Sequence, residues 1–593
     1  MTKIKKTLSA PNWDLSDFYA SISDKKIDKD LEKISKDCVK FSKDFNGKIA
    51  KLSAEKLTSA IKNYEIISEN IGKISSYSYL VYASDLSNAG NLAFFQNTCE
   101  KLNKCESNLV FFTLEINKIS EVQLQKLLKN SQLKKYQPFI RDCRIFKKYQ
   151  LTQDLEKLSL EKNITGRAAF VRLFDETINN LKFPYRGKIL NSQEIFNLLS
   201  SKDEKVRKDS AKAIGKIFGD NIKIFAFITN ILAKDKADDD ERRGFEAPIS
   251  SRNLSNFIED EIVEVLSTQV RKNYKNISQR YYKIKAKILG KKTLNYWDRN
   301  APLSADENKL TSWEDAKNLV LEAYEEFSPT MKKIGEKFFD KNWIDAAVKS
   351  GKDSGAFSHP CVPSIHPYIL MNYQGKTRDI MTLAHELGHG VHQYLARDCG
   401  YLMASTPLTL AETASVFGEQ LTFQKILKNE KNTQKKKLII ASKVEDMINT
   451  VVRQIAFLEF EKKVHEARKN GEISLEDLCK FWMEIQKESL GDIFKFDEEY
   501  KYFWCYIPHF IHSPFYVYAY AFGDCLVNSL YGIYKSGKIK NFEEKYLQML
   551  KSGGSFHHKE MLAPFGISID SAAFWQSGLD VIISYIDELE KLS

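Results

Sequence analysis

The stretch "TLAHELGHGVHQ" (382–393) restricts the fold more than any other part of the chain. Around it, Ile380, Ala384, Leu387, Val391 and Leu395 recur at the spacing of one buried helix stripe. The same helix carries three of the ten histidines and two glycines, Gly388 and Gly390. Each glycine costs a helix about 1 kcal/mol relative to alanine. A helix that keeps two is expected to present a bare face against which a second helix packs closely.

His385, Glu386 and His389 read HExxH. Positions i and i+4 lie one above the other on a helix, so two imidazoles reach one ion, and Glu386 stands beside it where it can take a proton from water. Zinc suits the set, because it accepts nitrogen and carboxylate ligands and keeps a fourth position open in catalytic sites. His392 shares the face, but its backbone lies about 10.5 Å along the axis from His385 at roughly 1.5 Å per residue. Bonds of about 2 Å cannot span that, so His392 is expected to support the site from outside or to pack. The third ligand must come from another element. "TLAETASVFGEQL" (409–421) reads as a helix with Glu412 and Glu419 on one face. Glu412 sits among Leu410, Ala411 and Ala414, an unusual setting for a carboxylate, although spacing alone does not separate a ligand from a solvated face.

Every histidine lies at position 359 or beyond. Histidine is the usual residue for metal binding and proton transfer near neutral pH, which places the chemistry late in the chain and makes the early part scaffold or lid. Just before the HExxH helix, "HPYILMNYQGKTRD" (366–379) offers a short strand at 368–373 and Thr377 as a cap. This strand, with Tyr368 and Tyr373, is expected at a sheet edge where an extended peptide can pair with it.

Only 26 glycines and 13 prolines punctuate 593 residues, well below the usual shares of about 7 % and 5 %. The chain is therefore expected to be mostly helical, and at more than about 250–300 residues it exceeds one compact core. Breaks fall at "RRGFEAPISSRN" (242–253) and, more strongly, at "KFPYRGKILNSQ" (182–193). The latter divides the chain into an N-terminal helical domain, 1–190, and a catalytic domain, 191–593. The net charge of +11 is spread and lysine-rich, which reads as a solvated surface; a nucleic-acid face would cluster its charge on one element. Nine cysteines without a CxxC pair fit reduced thiols in the cytoplasm. The N-terminus lacks the apolar core of a signal peptide, and no run of 18 apolar residues predicts a membrane span.

Three motifs carry a family resemblance: "HPYILMNYQGKTRDIMTLAHELGHGVHQ" (366–393), "AETASVFGE" (411–419) and "PHFIHSPFYVYAYAFG" (508–523). They resemble the oligoendopeptidase F group of zinc peptidases, relatives of thimet oligopeptidase and neurolysin. Fainter echoes, such as "NWDLSDFY" (12–19), "YWDRNAPL" (296–303) and "MLAPFGISID" (561–570), extend the resemblance over most of the chain. It implies a two-lobed, nearly all-helical fold with a deep central cleft and a small β-element beside the HExxH helix. It also implies one zinc per chain on His385, His389 and Glu412, with Glu386 as general base, and cleavage of short peptides; Glu419, on the same face as Glu412, is expected at most as an outer partner. A late histidine and tyrosines then contact the substrate carbonyl. Tyr516 and Tyr520 fit the tyrosine spacing, and "PHF" favours His509 as the histidine, with His512 the other candidate. The expected activity is a zinc-dependent endopeptidase for short unstructured peptides, monomeric or a small homo-oligomer, with no nucleic-acid or membrane partner. The alternatives are an inactive helical scaffold and a basic nucleic-acid-binding protein with a structural zinc. The intact Glu386 opposes the first; the lack of a cysteine pair near the HExxH helix opposes the second.

Overall fold

The structure, a computed structural model, describes residues 10–163, 165–303 and 310–592. Helices dominate and the strands are short. Many helices begin at a side-chain cap: Asp24, Ser53, Ser312 and Ser474 each accept a backbone N–H of the first turn, satisfying donors that a helix start leaves open. Among the described residues no helix is long and apolar enough to cross a membrane. All nine cysteines are free.

Two compact units make up the chain, each assembled from three separate segments. The first comprises Met1–Gln153, Glu307–Ile426 and Ser536–Ile567; the second comprises Asp154–Asp306, Leu427–Lys535 and Ser568–Ser593. The boundary expected near residue 190 thus falls inside the second unit. The proline and glycine there belong to a β-hairpin in which Phe183–Tyr185 pairs antiparallel with Lys188–Leu190. Arg186 and Gly187 make its turn with φ of 46° and 78°, the two positive values that a tight hairpin of matching twist requires.

In the first unit the helices Lys25–Phe45 and Ala54–Ser84 pack together, and Phe41, Leu57, Ile61 and Phe112 are fully buried there. Near the HExxH helix lies a three-stranded sheet. Tyr368–Leu370 is its central strand, parallel to Ile344–Asp345 and antiparallel to Phe357–His359. The early chain closes over this sheet. Ala346 N–H donates to the Pro11 carbonyl at 2.8 Å, the Tyr368 hydroxyl donates to the Asp14 carbonyl at 2.8 Å, and His366 Nε2 meets Asp17 at 2.7 Å. Beneath it Lys352 Nζ, buried, donates to the Asp345 carboxylate at 2.7 Å and the Met371 carbonyl at 2.6 Å.

The second unit is organised by the 40-residue helix Glu204–Arg243, which ends at Gly244 with φ of 81°, the left-handed cap that glycine adopts without strain. It packs along the helix Arg453–Lys469, which a π-helical turn at Ile448–Val452 joins to the preceding helix. Arg207 and Asp298, at 2.8 Å, form a buried ion pair between distant segments. Asp298 also meets Lys291 at 2.7 Å, so it is removal of Asp298 that would strip the buried Arg207 of this counter-charge.

Candidate active site

The HExxH helix runs Thr377–Ala396. Thr377 does not cap it; the Asp379 carboxylate accepts the N–H groups of Gln374 and Lys376 at 2.8 and 3.0 Å. The apolar stripe expected from its spacing is buried throughout: Ile380, Ala384, Leu387, Val391 and Leu395 are all core residues. The second helix, Leu408–Asn429, approaches along the side of Gly388. A Cβ on Gly388 would lie 2.5 Å from the Ala414 carbonyl oxygen and 2.7 Å from the Ser415 Cα. Gly390 serves a different contact, since its Cβ would strike the Phe338 ring at 2.6 Å on the helix Pro329–Asp340. Tyr324 adds a wedge. Its buried hydroxyl donates to the Ala384 carbonyl at 2.6 Å and sits where a Cβ of Gly418 would be.

This close approach brings His385, His389 and Glu412 together, with one ligand atom from each within 4.8 Å of the others. Glu412 Oε2 lies 3.4 Å from His385 Nε2 and 3.5 Å from His389 Nε2. Zinc bonds of about 2.0–2.1 Å in tetrahedral geometry set ligand–ligand edges of about 3.3–3.4 Å, so the donor set fits such an ion in chemistry and spacing. Glu419 Oε2 stands 3.4 Å from His385 Nδ1, the nitrogen facing away from Glu412. A carboxylate there fixes the tautomer that leaves Nε2 free to bind metal. Ser415 Oγ donates to Glu412 Oε2 at 2.8 Å, a contact between residues three apart on one helix.

The electrostatics match a cation site. Burial disfavours a charged His385, yet Glu419, Glu412 and Glu386 outweigh it and raise the imidazole to about 9. Burial likewise works against an ionised Glu412, but His389, His385 and Ser415 hold it down at about 2. Glu386 is 7 % exposed, and burial raises its carboxyl despite both histidines and a hydrogen bond from the Ser358 backbone. His392 is buried and pushed down to about 4. Its Nε2 hydrogen-bonds Thr406 at 3.2 Å, so it braces the approach to the Glu412 helix.

Tyr368 and Tyr373 are not substrate-facing. The strand that carries Tyr368 is central, with partners on both sides, so no peptide can add to it. Both rings are buried, and the Tyr373 hydroxyl donates to the Thr311 carbonyl at 3.0 Å. In the second unit, His509, Tyr516 and Tyr520 form one ring cluster. Centroids lie 5.3–5.9 Å apart, and His509 Nε2 is 3.2 Å from the Tyr520 hydroxyl. Burial, with the charges of His512 and Arg453, holds His509 below its ordinary value. His512 turns elsewhere, its Nε2 meeting Asp175 at 2.8 Å. Sequence reasoning missed Thr406 and Tyr324 and reached Ser415 only through the motif it shares with Glu412. Only Ser415 had a local signal, its spacing of three from Glu412; the others act through contacts between distant segments.

Two histidines and a glutamate, converging from two helices of a helical chain beside a buried HExxH glutamate, are a donor set that suits a metal-dependent peptidase. The family model described as Peptidase family M3 matches residues 197–581, and one described as Oligopeptidase F matches residues 115–183. The chain belongs to peptidase family M3, and it is a metalloendopeptidase. Among its relatives is the oligoendopeptidase F homolog of Borreliella burgdorferi, 28 % identical over 91 % of this chain and 92 % of the relative. Among solved structures, a chain from Chlamydophila abortus superposes with a TM-score of 0.83 at 23 % identity, covering 98 % of both chains. The oligoendopeptidase-F of Enterococcus faecium gives 0.74 at 21 % identity, over 96 % of this chain and 98 % of that one. At those identities the structural likeness is one of fold.

Proposed function

We propose that this protein is a zinc-dependent oligopeptidase that cuts internal bonds of short, unstructured peptides. One zinc per chain would be held by His385, His389 and Glu412. The observation that carries this reading is the pair of 3.4 and 3.5 Å separations between Glu412 Oε2 and the two imidazole nitrogens, which match the edges of a zinc tetrahedron. When bound, zinc acts as a Lewis acid and lowers the pKa of water from about 15.7 toward 7.

The chain's residues supply the rest. Glu386 accepts a proton from the attacking water as its oxygen bonds the carbonyl carbon of the peptide. It then delivers that proton to the amide nitrogen and the C–N bond breaks; the water's second proton passes from the new carboxyl group to the amine, so a carboxylate and an ammonium leave. A carboxyl raised by burial is suited to both transfers, because it is basic enough to take a proton and acidic enough to return it. We assign stabilisation of the developing oxyanion to the Tyr516 hydroxyl with His509, whose ring Tyr520 steadies. The restriction to unstructured peptides follows from burial: Glu386 is 7 % exposed, so a scissile bond must reach it as extended chain. A folded domain would first have to open locally, at up to its full stability of about 5–15 kcal/mol. Nine free cysteines support a cytoplasmic location.

The test is one sequence offered as a short quenched peptide and as part of a folded domain, with the enzyme before and after chelation. Cleavage of the peptide alone, lost on chelation and restored by zinc, is expected. Comparable kcat/KM on the folded domain, or full activity in chelator, would contradict the reading.

A further inference from the structure

Residues 513–516, Ser-Pro-Phe-Tyr, form a turn closed by the Tyr516 N–H donating to the Ser513 carbonyl at 3.0 Å. Proline stands second, and Phe515, third, has φ of 60°. That is the pattern of a type II turn, whose third position needs positive φ and so favours glycine. For a bulky side chain this conformation is strained by about 1–3 kcal/mol and persists only where the surroundings impose it. Type I and type II turns differ by a flip of the peptide plane between the two central residues. Here both polar groups of that plane are gripped. The Phe515 N–H donates to Glu461 Oε1 at 2.8 Å, and the Pro514 carbonyl accepts from Arg252 Nε at 3.1 Å. A flip breaks both bonds.

Three elements converge on this one peptide. Glu461 and His465 come from Arg453–Lys469, Lys236 from Glu204–Arg243, and Arg252 from Ser250–Ser255. The Phe515 ring is fully buried against the His465 ring, with centroids 4.8 Å apart, and Lys236 Nζ lies 5.8 Å from its centre. Just upstream, Arg167 donates to the His512 carbonyl.

We infer that Glu461 and Arg252 are positioning residues that lock the Pro514–Phe515 peptide plane and through it aim the Tyr516 hydroxyl. The inference rests on the assignment of Tyr516 to the oxyanion. Burial pushes the Glu461 carboxyl up to about 8, against the Phe515 N–H, Arg252 and Lys236, so at neutral pH it is mainly a neutral acid. Oε1 accepts from the peptide, while Oε2 has no hydrogen-bond partner among the described residues; the residue lines an apolar cavity with Phe225, Leu232, Phe460 and Val464. Glutamine keeps the accepting oxygen and leucine removes it.

The experiment measures kcat and KM of the full-length, zinc-loaded enzyme on a quenched peptide for Glu461→Leu, Glu461→Gln, Arg252→Met, Tyr516→Phe and the double variants with Tyr516→Phe. Glu461→Leu is expected to lower kcat by about 10- to 100-fold with KM little changed, the scale of a small misplacement of a reacting group. Glu461→Gln should stay within about threefold of wild type, because the accepted N–H bond survives. With Tyr516→Phe already present, Glu461→Leu should cost less than a further twofold or so, because residues acting through one another are not additive. Should Glu461→Leu fail to fold by its thermal melt, Arg252→Met carries the same cycle with the same expectation. Wild-type kcat in the variant that folds, a fully additive loss, or failure of glutamine to rescue would each overturn the inference. Wild-type kcat in Tyr516→Phe would instead overturn the oxyanion assignment, and the inference with it.

Discussion

In the proposed zinc site, Ser415 would set how firmly the Glu412 carboxylate is aimed. Its hydroxyl is 2.8 Å from Glu412 Oε2, the oxygen that faces both imidazoles. Ser415→Ala should weaken zinc binding about tenfold, the lower range for loss of a partner that orients a metal ligand. Competition against a chelator reads this, and unchanged affinity would show that the helix backbone alone orients Glu412. A second residue-scale prediction concerns Glu461. Between its usual value of 4.5 and the raised value of about 8, the folded protein holds a proton that the unfolded chain releases. Its contribution to stability is complete below pH 4.5 and is lost as pH rises through that window, by up to about 1.4 kcal/mol per unit. Beside it, burial pushes His465 down to about 3, so in the folded protein that imidazole stays neutral across the window, in wild type and variant alike. Denaturant melts from pH 5 to 8 should show a shallower decline in Glu461→Gln than in wild type, and identical slopes would count against a buried neutral acid.

At the scale of elements, the two glycines of the HExxH helix separate metal geometry from packing. Gly388→Ala pushes a Cβ into the backbone of the Glu412 helix and should cost about 1–3 kcal/mol as overpacking, with zinc affinity falling too because the ligand helix is displaced. Gly390→Ala meets the Phe338 ring first and should cost stability while leaving zinc affinity near wild type. Thermal melts and zinc titrations of the pair check this, and equal effects on zinc would refute the division. The contrast also shows what the sequence could reveal. The stripe from Ile380 to Leu395 and the HExxH pair are local, so a period of 3.6 exposes them. That Gly388 faces one helix and Gly390 another is set by elements far apart in sequence. The strand at 368–370 was legible from its aromatic and apolar run, but its central place depends on Ile344–Asp345 and Phe357–His359, whose short segments carry no comparable pattern. Likewise, proline and glycine at 182–193 announce a turn, and nothing local tells a hairpin from a domain boundary.

At the scale of the molecule, each compact unit is stitched from three segments. The HExxH helix and the Glu412 helix belong to a unit that also includes residues near the N-terminus, through contacts such as Asp14 with Tyr368 and Asp17 with His366. The ring cluster of His509, Tyr516 and Tyr520 belongs to the other unit. Each unit thus depends on chain that comes before and after the other's segments. The function proposed above turns on one chemical event, proton transfer by Glu386. The most direct measurement of that event pairs metal content with turnover in wild type and Glu386→Gln. The substitution removes a base but no metal ligand. One zinc per chain in both proteins is expected, with turnover of the variant down at least about a hundredfold, the usual minimum for loss of a general base. A variant that keeps its zinc and cleaves peptide within tenfold of wild type would contradict the role of Glu386, however well the site binds metal.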